Sequence, residues 1–85
     1  MKVDAWKLTC VVSGQSVTVT AMPKTRVGVL MMLALEEAGH HREGANQWEA
    51  RDADGELLVR SNSLRHSDLE DGDTVFVDPK PGWGA

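Results

Sequence analysis

One stretch of this chain, Thr25 to Ala38 (TRVGVLMMLALEEA), is long and apolar enough to form a helix that closes a core, and everything else must pack on it. At 3.6 residues per turn, Val27, Leu30, Met31, Ala34, Leu35 and Ala38 share one continuous face, wide enough to cover a small sheet. Thr25 is expected as the N-cap, its hydroxyl accepting from an orphan backbone N–H. Pro23 ends any strand before the helix, and Gly39 stops the helix itself. The opposite side is not properly polar: Val29, Met32 and Leu33 lie there or at its flank, and charge enters only at Arg26, Glu36 and Glu37. Two readings follow, a helix sunk deeper than usual or a surface for a partner or for self-association.

The chain's 85 residues suit one domain. A net charge of −4, with acidic residues scattered along the chain, argues against a nucleic-acid partner, which needs a concentrated basic patch. Cys10 is the single cysteine, so no internal disulfide forms, and MKVDAWKL at the start lacks the long apolar stretch of a signal peptide. A cytoplasmic location is the expectation. No apolar run reaches the roughly 20 residues of a membrane-spanning helix, so no membrane partner is expected.

Trp6 to Val12 and Gln15 to Met22 flank Ser13-Gly14, a two-residue loop of the kind that joins a tight hairpin. Pairing Val12 with Gln15 sets Cys10 opposite Val17, Leu8 opposite Val19 and Trp6 opposite Ala21, all on one face. The other face is Lys7, Thr9, Val11, Ser16, Thr18 and Thr20, polar enough to meet water. Cys10 then reads as a small core residue, not a reactive thiol.

After the helix, His40 to Asn46 is polar and contains Gly44, which suits a loop; its histidines have no further ligand at a spacing that would complete a metal site. Gln47 to Asp52 reads as a short strand with Trp48 and Ala50 alternating with Glu49 and Arg51. Asp54-Gly55 turns it into Leu57-Leu58-Val59, a second hairpin. Leu64 and Leu69 bracket a polar link that suits one helical turn, with each leucine plugging the edge of the core and His66 in solvent. Asp71-Gly72-Asp73 is a tight turn into a last strand, Thr74 to Asp78, with Val75 and Val77 on one face and Phe76 facing away from the core. Asp71 and Asp73 suit turn chemistry better than acid–base work.

The order of hairpin, helix, short hairpin, turn and last strand is an α+β layout with one helix for one sheet face. The last strand has no hairpin neighbour, and the first strand is its expected partner.

Across residues 6 to 78 the chain resembles a ubiquitin-fold, or β-grasp, protein. The resemblance is carried by the hairpin at Ser13-Gly14, the helix from Thr25, the turn starting at Ser63-Leu64 and the Leu69-Glu70-Asp71-Gly72-Asp73-Thr74-Val75 run. It implies a β-grasp roll, a mixed sheet of four to five strands with one helix packed across it, over residues 1–78, followed by a flexible tail at 79–85. A similar approach to the last strand occurs in the small sulfur carriers of this fold and in bacterial ubiquitin-like modifiers. The modifiers are also similar to the NQWEARDADGELL segment.

By that resemblance the chain is a bacterial modifier that works with its own activating, conjugating and deconjugating enzymes. In such proteins the body is substrate, not catalyst. A partner uses ATP and Mg to adenylate the C-terminal carboxylate, and the acyl group then passes to a thiol or hydroxyl and finally to an amine of a target protein. The chain itself holds no cofactor or metal. Asp78-Pro79-Lys80-Pro81-Gly82-Trp83-Gly84-Ala85, kept extended by its prolines, would reach at most about 26 Å into a partner's active site. Glycine beside the acyl carbon offers least obstruction to a nucleophile. Here the tail reads Gly-Trp-Gly in place of Gly-Gly and ends on Ala85. Conjugation through Gly84 therefore calls for removal of Ala85, unless alanine is itself accepted. Gly82 and Trp83 are the residues for tail recognition, the indole reading either as an anchor for a partner's pocket or as folded back on the domain. Val29, Met32, Leu33 and Phe76 are the candidate partner surface. No Ser/His/Asp, Cys/His or paired-carboxylate arrangement specifies an enzyme. The alternatives are a β-grasp interaction domain that is never conjugated, and a sulfur carrier with a C-terminal thiocarboxylate.

Overall fold

The computed structural model describes residues 5–40 and 45–81. Strand β1 (Trp6–Val12) turns back through Ser13 and Gly14 into β2 (Gln15–Ala21). Both turn residues have positive φ, 47° and 87°, the backbone of the two-residue hairpin that matches strand twist. The register is the one the alternation requires: Trp6 faces Ala21, Leu8 faces Val19, Cys10 faces Val17 and Val12 faces Gln15. Leu8, Cys10, Val12, Val19 and Ala21 are buried, with Trp6 and Val17 packed partly against them.

Helix α1 (Val27–Glu37) begins one residue later than a Thr25 cap would place it: Arg26 stands at the N-cap, and no side chain caps the helix. The Thr25 hydroxyl instead accepts from Met22 N–H at 3.0 Å, closing the turn that leaves β2. The first helical N–H groups are met by a distant backbone: Val27 N–H donates to Asn62 O and Gly28 N–H to Arg60 O, both at 2.9 Å. A side-chain cap is redundant once carbonyls from residues 60–62 occupy that position. At the other end Gly39, at φ 90°, ends the helix as expected. His40 N–H donates to Leu35 O and Gly39 N–H to Glu36 O, the paired bonds of a Schellman stop.

A 3-10 turn at Ala45–Gln47 leads into β3 (Trp48–Arg51), which places Gln47 before the strand instead of in it. The expected second hairpin is reduced to a single bridge, Arg51 to Leu57, with Leu58 N–H donating to Ala50 O at 2.8 Å. The chain leaves β3 there because residues 60–62 are drawn across to the start of α1. A second 3-10 turn, Arg65–Ser67, lies between Leu64 and Leu69, both buried, and His66 is exposed.

Strand β4 (Thr74–Pro79) runs parallel to β1, with Cys10 beside Val75 and Val12 beside Val77, and antiparallel to β3. The sheet order is β2-β1-β4-β3, a mixed four-stranded sheet with α1 across one face. That is the expected α+β β-grasp roll, with the last strand on the first. Val27, Leu30, Met31, Ala34 and Leu35 close the core against Val75, Val77, Trp48 and Ala50. Among the described residues no helix is long and apolar enough to cross a membrane.

Candidate functional site

Three regions carry the residues singled out above, and the fold does not bring them together. On the outer side of α1, Val29, Met32 and Leu33 are 46%, 60% and 39% exposed, so the helix is not sunk. Phe76, 38% exposed, lies on the opposite face of the sheet, between Val11 on β1 and Arg51 on β3. The Arg51 guanidinium bonds Glu49, Nε to Oε2 at 3.0 Å, and Gly55 O at 2.8 Å. The helix patch and Phe76 are therefore separate surfaces.

The third region is the exit from β4. The strand continues one residue past the expected boundary: Pro79 pairs with Trp48, and Lys80 N–H donates to Gln47 O at 3.0 Å. Gly82, Trp83, Gly84 and Ala85 lie outside the described residues, as does the loop His41 to Gly44. His40, the first of the two adjacent histidines, packs edge-on against Trp48 with ring centroids 5.1 Å apart. Sequence reasoning missed that contact, which pins the end of the helical stop to β3.

The reactive groups of the body serve its own backbone. Cys10 is fully buried, and burial pushes its thiol up from 9.0 to about 11, so it is protonated at neutral pH. Ser63 Oγ and His66 Nδ1 are 2.9 Å apart, but the same Oγ accepts from His66 N–H at 3.2 Å, which makes the pair the cap of a short turn. Asp52 Oδ1 accepts from the N–H groups of Asp54 and Glu56, both at 2.9 Å, shaping the turn after β3. Asp71 and Asp73 likewise accept from Lys7 and Glu70 N–H. Among the described residues no group of three or more His, Cys, Asp or Glu could hold a metal ion.

A mixed sheet in this order, with one helix across it and the last strand beside the first, defines a ubiquitin-like β-grasp protein. Two solved structures superpose on nearly the whole chain. A de novo design based on ubiquitin gives a TM-score of 0.78 at 17% identity, over 95% of this chain and 95% of that one. The ubiquitin of Caldiarchaeum subterraneum gives 0.75 at 16% identity, over 94% of this chain and 99% of that one. At such identities the likeness is one of fold. No curated protein matches the sequence. The chain belongs to the family described as "Protein of Unknown function (DUF2604)", whose match covers residues 2–84.

Proposed function

We propose that this chain is a ubiquitin-like protein modifier, activated at Gly84 by a partner enzyme after removal of Ala85 and conjugated to target proteins. The observation that carries this reading is the exit of β4. Backbone pairing lasts to Lys80, and the sequence turns to Gly-Trp-Gly directly after the exposed Pro81. The glycines therefore begin where the sheet's hydrogen bonds end. A ubiquitin-like body with its tail starting at that point suits a substrate whose reacting carbonyl is offered to another protein. The reach is shorter than the whole tail suggests. Three residues, Gly82 to Gly84, carry the chain from Pro81 to the reacting carbonyl, and covalent geometry lets three residues span at most about 11 Å. An activating partner must then dock close to the β3–β4 end of the sheet, where Trp48 and Gln47 hold Pro79 and Lys80.

In this reading ATP and Mg belong to the activating partner, and a deconjugating protease cleaves after Gly84. The bacterial setting and the cytoplasmic location belong to the same proposal. The test uses the cognate activating enzyme with ATP and three forms of the chain: full length, ending at Gly84, and ending at a Gly84→Val residue. The form ending at Gly84 is expected to give an ATP-dependent acyl-enzyme adduct, and the valine form none. Adduct formation that ignores the residue at 84 would contradict the proposal.

A second reading, a β-grasp interaction domain that is never conjugated, is favoured by the exposed Val29 and Met32, which no segment of the described chain covers.

A further inference from the structure

Every charge on α1 stands at the end that the helix's own dipole disfavours. Arg26, at the N-cap, lies at the positive end, and Glu36 and Glu37 lie at the negative end, with no acidic residue in the first turn and no basic one in the last. All three are exposed, and none has an ion pair among the described residues. Between them the outer face carries Val29, Met32 and Leu33, exposed and apolar. Helical spacing puts Arg26, Val29, Leu33 and Glu36 on one stripe, three and four residues apart, with Met32 at its border. One side of the stripe is closed by the chain itself, since Arg60 O lies 3.4 Å from where a Cβ on Gly28 would stand.

These charges oppose the dipole of α1, but they match the dipole of a helix laid on it in the opposite direction. The negative end of such a helix would meet Arg26, and its positive end Glu36 and Glu37. The stripe is also its own complement. Val29 and Leu33 stand two residues either side of Met31, and Arg26 and Glu36 stand five. A two-fold axis level with Met31 therefore sets Val29 of one copy against Leu33 of the other, and at both ends Arg26 against Glu36, with Glu37 beside it. Packed helices lie about 8 to 10 Å apart, a gap that an arginine and a glutamate side chain span together.

We propose that a second copy of this chain covers this face, α1 packing antiparallel on α1 about a two-fold axis. Val29, Met32 and Leu33 of each copy form the apolar centre, and Arg26 of one copy pairs with Glu36 and Glu37 of the other at each end. A parallel arrangement would set Arg26 on Arg26 and Glu36 on Glu36, and like charges disfavour it. A copy of α1 supplies the apolar centre and both charged ends at matched spacing, which selects it over an unrelated helix. The helix has 11 residues and is about 16 Å long, so the contact is small and the dimer exchanges with monomer. The net charge of −4 on each copy repels at long range; salt of about 0.15 M, with a screening length of about 8 Å, suppresses that repulsion more than it does the close pairs. This inference does not depend on conjugation through Gly84.

Sedimentation equilibrium of the full chain from about 10 μM to about 1 mM, in about 0.15 M salt, reads the association, and dimerisation is expected within that range. Arg26→Glu, or Glu36→Arg with Glu37→Arg, should each weaken it about three- to thirtyfold, since the two-fold makes every change remove two exposed pairs. Mixing those two variants should restore a dimer, because one then carries only carboxylates along the stripe and the other only guanidinium groups. The variant with all three reversals should self-associate like the wild type. Each reversal brings a charge into line with the dipole of α1, so none of these variants should lose its fold. Val29→Lys with Met32→Lys should abolish association. A chain that stays monomeric to about 1 mM would overturn the proposal and leave the stripe to a different protein. So would reversals that leave the dimer unchanged, a combined variant no better than its parts, or amide shifts on dilution that map away from α1.

Discussion

Lys7 and Asp71, 64 positions apart, are joined at the backbone: Lys7 N–H donates to Asp71 Oδ1 at 2.7 Å, and Gly72 N–H returns a bond to Lys7 O at 2.9 Å. The link holds the start of β1 to the turn before β4, and Thr9 N–H on Asp73 O continues it into the parallel ladder. Asp71→Ala removes a charged acceptor near the surface and should cost about 1 kcal/mol in chemical denaturation. Asp71→Asn keeps an acceptor and should cost less. Equal losses would mean that the charge, not the geometry of this contact, matters.

Core and outer face of the hairpin should respond differently. Leu30→Ala should cost roughly 2 to 5 kcal/mol and Val19→Ala roughly 1 to 3, since each empties space between helix and sheet. Thr18→Ala, exposed on the other face of β2, should stay within about 0.5 kcal/mol. Urea midpoints for the three variants give the comparison.

Cys10 makes stability fall in alkali. Its folded pKa, about 11, is raised above the ordinary 9.0 of an unfolded chain, so its contribution is fully present below pH 9 and is lost between 9 and 11 as the unfolded thiol ionises first. The slope approaches about 1.4 kcal/mol per pH unit in that window. Thiolate absorbance is unobscured by tyrosinate, because the chain has no tyrosine. A Cys10→Ser variant should lack this component of the pH dependence.

The outer side of α1 should tolerate charge. Val29→Lys together with Met32→Lys should leave the melting temperature nearly unchanged, because both side chains are exposed. Loss of a bound protein or of self-association by the same variant would identify the patch as a contact surface. Unfolding would show these positions to be buried.

The hairpin register and the helix stop were legible in the sequence because each rests on local chemistry. Ser13-Gly14 admits one tight turn, and alternation from Val12 and Gln15 leaves one choice of buried face. Gly39 supplies the positive φ that a Schellman stop needs. The helix start was misread because its N–H partners, the carbonyls of Arg60 and Asn62, lie more than thirty residues away and leave no mark near Thr25. The same distant contact ended the second hairpin, where the alternation of Leu57-Leu58-Val59 looked like a strand. The exposure of Val29 and Met32 needed the structure as well, since the pattern fits a sunken helix or an open one. At the tail, the resemblance to ubiquitin-like modifiers, not any local pattern, names Gly84 as the candidate acyl donor, and chemistry tests it.

That chemistry is best read by intact-mass spectrometry of the protein from its native host, with a search for branched peptides carrying a tail remnant on lysines of other proteins. Conjugation through Gly84 predicts loss of Ala85 from the free protein and remnants that end in Gly84. A chain that keeps Ala85 and forms no adducts, even with its activating and conjugating enzymes and ATP supplied, would contradict the modifier reading.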